Sequence, residues 1–269
     1  MHQVKGFIQI YSKKARDQVT DAGQKFLGRA GLDVIWPELF ACVDELIKNA
    51  VKANYKFLLV REQIADRLRE QWPEKSHADI DEDIRDVIKT PESFNDFAGE
   101  VLDQHDISAR VREILNQESK LLGIKNRAYA ENRHYTEDEI AMLRGLDKIN
   151  EIRKKIREQD IRILLRIQAD DDFLYIEITN TAPILAKDLV RIHEKRDEYR
   201  RYKDEGREHE FFIHNIDTSE SGFGLGYAKI DSILADWGLA DERAITIISA
   251  INTTVMLTLP VDLLKQRFA

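Results

Sequence analysis

The chain has one cysteine, Cys42, in 269 residues, so no internal disulfide can brace it. Cys42 lies within an apolar helical pattern and reads as a small buried hydrophobe. No apolar run approaches the roughly 20 residues that span a bilayer. Met1-His-Gln-Val-Lys-Gly lacks the form of a signal peptide. Both absences lead to the expectation of a cytoplasmic chain with no membrane span. A basic surplus is missing too: 41 Lys and Arg stand against 49 Asp and Glu, a formal net charge of −8. That balance argues against binding nucleic-acid backbones, which calls for a basic footprint. Proline and glycine are sparse, five and twelve, and neither occurs between Glu38 and Trp72. Internal repeats and low-complexity tracts are absent.

What is present is charge laid on helical periodicity. The charged fraction of 33 % exceeds the globular norm of about 25 %, and the hydrophobic fraction of 43 % suffices for a core. The organising stretch is Phe40 to Asn54, where Val43, Leu46, Ile47, Ala50 and Val51 recur at helical spacing behind Pro37, a residue suited to a first helical turn. Glu45 and Asn49 stand one turn apart and leave from one face. An amide oxygen can ligate Mg²⁺, and a carboxylate can take a proton from an attacking hydroxyl or water. Taken alone, Glu-x-x-x-Asn is also what an ordinary amphipathic helix produces by chance.

In chain order, Gly6–Tyr11 predicts a first strand. Ser12 caps a helix over 13–29 that Gly31 stops. Leu58, Ile64 and Leu68 prolong the next helical pattern to about Trp72, although Phe57-Leu-Leu-Val60 also suits a short strand. Residues 61–160 read as a charged arm of three or four helices, the last opened by the capping box Thr136-Glu-Asp-Glu139 and running through Ile156. The period then changes: Ile161–Ile167 and Phe173–Thr179 predict a hairpin, followed by Asn180-Thr-Ala182-Pro-Ile184. A charged helix over 185–204, a loop over 205–220, a helix over 227–235 and strands over 244–249 and 253–259 complete the chain. Pro260 stops the last strand.

Gly222-x-Gly224-Leu225-Gly226 leads into that late helix, so bare backbone and unpaired N–H groups stand where a phosphate can approach. A Rossmann reading fails because the glycines do not follow a first strand. A Walker A reading fails because no Gly-Lys-Ser/Thr occurs.

Taken together and in order, Glu45-x-x-x-Asn49-Ala, the hairpin, the charged stretch, the glycine run and a last strand ending Thr-Leu-Pro260 resemble one family. It is the ATP-binding domain shared by DNA gyrase, heat-shock chaperones, histidine kinases and mismatch-repair ATPases, and it covers about residues 31–60 and 161–260. The resemblance implies an α+β fold, a two-layer sandwich in which a mixed sheet is covered on one face by helices. Its core is 1–60 with 161–269, interrupted by a helical insertion over 61–160. It implies ATP and Mg²⁺ as ligands, Asn49 as the metal ligand and Glu45 as the base or water-orienting residue. Gly222, Gly224, Leu225 and Gly226 become the phosphate box, Thr253 helps fix adenine, and 185–221 form a lid. Lys52 is placed toward the phosphates.

The departure is at the adenine box. The family's Asp-x-Gly-x-Gly is replaced by Asn180-Thr-Ala182-Pro-Ile184, so an amide stands in for the carboxylate and side chains for bare backbone. Either adenine sits differently, or nucleotide binding is weakened or lost.

Three functions follow from the resemblance. One is a kinase or ATPase in signalling, which transfers or hydrolyses the γ-phosphate. The second is a conformational-clamp ATPase that dimerises. The third is a degenerate module whose arm binds a protein partner. His105, in His105-Asp-Ile-Ser-Ala-Arg110, is the one phospho-acceptor candidate among the seven histidines, but it lies inside the arm. His134, His193, His209 and His214 have no metal-ligand spacing.

Overall fold

A computed structural model of the chain describes residues 2–216, 225–239 and 242–268. Among the described residues there are five strands, β1 (His2–Ile8), β2 (Ile163–Ala169), β3 (Phe173–Asn180), β4 (Ile245–Ser249) and β5 (Thr253–Pro260). They form one sheet in the order β1-β2-β3-β5-β4. Every neighbouring pair is antiparallel, which corrects the expectation of a mixed sheet. The fold is α+β.

Alternation decides which side of the sheet is covered. Along β2, β3 and β5 every second residue is buried, and the register stacks Leu165, Ile178 and Val255 in one row and Ile167, Ile176 and Leu257 in the next. Side chains of opposite parity, including Arg166, Glu177 and Thr254, are only half-buried. Truncating a buried isoleucine in these rows to alanine would cost about 2–5 kcal/mol.

Helices α1 (Lys13–Ala30) and α2 (Trp36–Gln71) lie on the buried face. Ser12 caps α1 by accepting from the Ala15 N–H at 3.3 Å, and Gly31 ends it with φ +70°, a conformation glycine adopts without a Cβ penalty. The first strand starts and ends earlier than Gly6–Tyr11. Its ladder to β2 closes at Ile8, and Tyr11 is instead directed to Asp44 on α2, where its hydroxyl donates at 2.6 Å. Arg16 and Lys48 also reach Asp44, which ties α1 to α2.

α2 is unbroken over 36 residues, about 54 Å at 1.5 Å per residue, so 57–60 is helix and position 60 is no break. Without a glycine or proline to stop it, the helix carries the core from the sheet into the arm. Leu58, Ile64 and Leu68 share one hydrophobic cluster with Ile80, Phe94, Val111 and the sheet.

The arm contains five helices: α3 (His77–Lys89), α4 (Pro91–Gln104), α5 (Ile107–Ala130), α6 (Glu137–Arg144) and α7 (Asp147–Glu158). The Thr136 capping box is present, with Thr136 accepting from Glu139 N and Glu139 accepting from Thr136 N. The helix it opens stops at Gly145, so the single helix expected through Ile156 is two.

Beyond the hairpin come α8 (Ala186–Asp204), α9 (Glu208–Ile216), α10 (Leu225–Asp236) and α11 (Val261–Phe268). α9 replaces part of the expected loop. Its Phe211 is fully buried and packs edge-on to Tyr199 of α8 at 5.4 Å between ring centres. α11, unforeseen, follows Pro260 directly and buries Val261 and Leu264.

Candidate functional site

One face of α2 carries Glu38, Cys42, Glu45, Asn49, Lys52 and Lys56, spaced three or four apart. α10 lies along that face and runs antiparallel to it. Glu38 accepts from the Trp237 indole N–H at 2.6 Å, the charge of Lys229 is felt at Cys42, and Glu45 packs on Gly226. The described start of α10 therefore lies at the level of Glu45.

Gly226 is glycine for a steric reason. A Cβ there would stand 2.3 Å from Glu45 Oε1 and 2.7 Å from its Cγ, distances that real side chains do not tolerate. Only a bare backbone lets the carboxylate lie against the helix start. Gly222 and Gly224 lie outside the described residues.

Asn49, one turn beyond Glu45, is 6 % exposed, and among the described residues neither its Oδ1 nor its Nδ2 has a hydrogen-bond partner. A buried amide in that state costs on the order of 1–3 kcal/mol, so its retention calls for a reason. Asn54, 2 % exposed, is in the same condition. It is five residues further along α2, so its side chain leaves on a different side of the helix.

Lys52 is half-buried, and burial lowers its pKa, with the Glu45 charge opposing and the Lys48 charge adding to the fall. Tyr227, beside Gly226, has its phenol pushed up by burial and by Glu45 against the opposing charge of Arg196.

Two buried ionic contacts fix α8 over this face. Lys56 Nζ lies 2.9 and 2.8 Å from the two Asp188 carboxylate oxygens. Arg196 makes a two-pronged contact to Asp231 of α10, both bonds 2.8 Å. α8 is thus tied to α2 at one end and to α10 further along. These four side chains were absent from the sequence-derived site, because each looked like one more charge in a charged helix.

At the end of β3, Asn180 is 3 % exposed and pairs in register with Thr253. Its Nδ2 donates to the Ala50 carbonyl and its Oδ1 accepts from Ala182 N, both at 3.4 Å. Thr253 Oγ1 donates to the Ala182 carbonyl at 3.2 Å, and Ala182 is fully buried. Thr254 is on the other sheet face, where its hydroxyl meets Thr179 at 2.9 Å. So Asn180, Ala182 and Thr253 converge, and Ala50 joins them to the turn after Asn49.

Comparison with family models, curated proteins and solved structures finds no match. The site therefore rests on its own geometry. The structure brings Glu45, Asn49, Lys52, Leu225 and Gly226 to one helix pair and gathers Asn180, Ala182 and Thr253 at the adjoining strand end. His105 is exposed at the end of α4. A wider groove of about 1040 Å³ lies elsewhere, between α1 and α5, lined by Lys13, Lys125, Tyr129 and Tyr135. It belongs to the arm side and shares none of the residues above.

Among the described residues no helix is long and apolar enough to cross a membrane, and no cluster of three or more His, Cys, Asp or Glu side chains is placed to hold a metal. The candidate on this face is the buried Asn49 amide oxygen, a hard donor of the kind that Mg²⁺ takes.

Proposed function

We propose that this chain is a domain of the gyrase, chaperone and histidine kinase type that binds ATP with Mg²⁺ and transfers or hydrolyses the γ-phosphate. The observation that carries this reading is the partnerless Asn49 amide one turn from Glu45, which itself lies against a helix start that only glycine permits. Asn54 is equally unbonded, but only Asn49 stands one turn from Glu45 on the face that α10 covers.

In this reading Asn49 offers its Oδ1 to the metal, and Mg²⁺ when bound neutralises phosphate charge. The start of α10 presents N–H groups to the phosphates. Glu45 accepts the proton of the attacking hydroxyl or water, and Lys52 adds positive charge on the same face. α8 forms the cover, held by Lys56–Asp188 and Arg196–Asp231. The acceptor is water in an ATPase and a partner side chain in a kinase.

A second reading, a protein-interaction module that no longer binds nucleotide, draws on the adenine end. Asn180 spends both amide groups inside the protein, and Ala182 is buried. Incubation of the chain with γ-labelled ATP and Mg²⁺ separates the readings. Free phosphate indicates hydrolysis, and label on protein indicates a kinase. Wild-type chain that retains no nucleotide at all overturns the proposal in favour of the second reading. Glu45→Ala should abolish turnover while leaving binding.

A further inference from the structure

The β1 edge of the sheet has features of an interface. Among the described residues β1 pairs only with β2, and its seven-residue ladder carries no proline and no bulge; Lys5 is the one edge-protecting charge on it. Beneath it, between the strand and α1, runs a groove of about 250 Å³ lined by apolar side chains, among them Val4, Ile8, Val19, Leu165 and Ile167. On the open face Phe7 is 57 % exposed. A strand added here would complete the backbone hydrogen bonds and fill the groove with its inward side chains.

The residues of β1 choose the occupant. In an antiparallel pair, residues opposite each other share a face, so the strand meets a copy of itself only in registers that keep Val4, Gly6 and Ile8 on the inner side. The full-overlap register sets Lys5 against Lys5 of the second copy, which is repulsive. A shift that places Gly6 opposite Gly6 removes the repulsion. Lys5 then faces Phe7 of the second copy, a cation–ring pairing of the kind already present within the chain, where Lys5 Nζ lies 5.5 Å and the Arg162 guanidinium 4.7 Å from the Phe7 ring. On the inner face Val4 meets Ile8. Room exists at the axis, since a Cβ built on Gly6 meets nothing within 4 Å.

We infer that two copies of this chain join through β1, antiparallel with Gly6 on the two-fold axis, into one continuous ten-stranded sheet. The inference is independent of nucleotide binding.

The test uses the full chain. Sedimentation equilibrium should find a dimer at micromolar concentration, and Val4→Lys should raise its dissociation constant by roughly tenfold or more while leaving the circular dichroism spectrum and melting curve in place. In parallel, Gly6→Cys should form an intermolecular disulfide under mild oxidation, because Cα atoms facing across the axis are about 4.5–5.5 Å apart, within bridging range. Val4→Cys, which keeps Lys5 and Phe7, should not, because Val4 faces Ile8 and the two Val4 positions are offset by four residues, roughly 13 Å along the strands. Cys42 does not compete, since burial pushes its thiol up to about 12. A monomer at all concentrations, a dimer indifferent to Val4→Lys, or equal bridging by Val4→Cys and Gly6→Cys would overturn the inference. If Val4→Lys fails to fold, the two cysteine variants decide alone.

Discussion

Gly226→Ala offers a sharp probe of the contact between α2 and α10. The added Cβ would stand 2.3, 2.7 and 2.8 Å from Glu45 Oε1, Cγ and Cδ. The carboxyl end can swing aside, but Cγ is only two bonds from the α2 backbone, so either Glu45 leaves its place or the helices part. Overpacking of this kind costs about 1–3 kcal/mol. Against it stands the helix propensity gained on replacing glycine by alanine, at most about 1 kcal/mol. The expected net result is destabilisation of about 1 kcal/mol. In a Glu45→Ala background the obstacle is gone, and the same change should be neutral or stabilising. Urea unfolding of the four proteins in this cycle should therefore give a coupling energy of about 1–3 kcal/mol. Additivity within about 0.5 kcal/mol would refute the claim that Glu45 lies against Gly226.

Other expectations follow from the same geometry. Asn49→Leu and Asn54→Leu each remove a buried, partnerless amide and should each raise apo stability by about 1 kcal/mol in urea unfolding, while only Asn49→Leu should remove the Mg²⁺-dependent part of ATP binding. Asp44 is subject to burial, which would raise its pKa, but hydrogen bonds from Lys48, Tyr11 and Arg16 hold it below its ordinary value of 3.8. A depressed carboxyl stabilises the fold above that ordinary value and loses the contribution as pH falls through the folded value. Asp44→Asn should thus cost about 1–2 kcal/mol at neutral pH, with the gap from wild type closing below about pH 4. Lys56→Met strands the buried Asp188 carboxylate and should cost about 3–5 kcal/mol, most of it recovered by adding Asp188→Leu, as thermal unfolding can check.

Much of this architecture was legible in the residues because local rules and tertiary demands agree there. Ser12 and Gly31 bracket α1 by capping alone, and the alternation around Asp170–Asp172 fixes the β2–β3 hairpin. α2 was legible as one helix only through what it lacks, since no glycine or proline interrupts it; the apolar run Phe57–Val60 is helical because every side of the helix is covered there. The expected continuous helix after Thr136 failed at Gly145, where one cheap break outweighed a sustained apolar pattern. α9 was missed because its signal is an aromatic pair that matters only once Tyr199 is across from it.

At the candidate site, Glu45 and Asn49 could be picked out by spacing, yet nothing in the sequence revealed that the Asn49 amide is left unbonded or that Glu45 needs Gly226 bare. Nor could it reveal the ties that fix α8. Lys56 and Asp188 are 132 positions apart, and only the fold brings them together.

The most direct measurement is equilibrium binding of ATP to wild-type and Asn49→Ala protein by calorimetry, each with and without Mg²⁺. Wild type should bind, and bind more tightly when Mg²⁺ is present, whereas Asn49→Ala should lose the Mg²⁺-dependent gain. A wild-type chain that takes up no nucleotide, or an Asn49→Ala protein with the same Mg²⁺ response as wild type, would contradict the assignment of Asn49 to the metal.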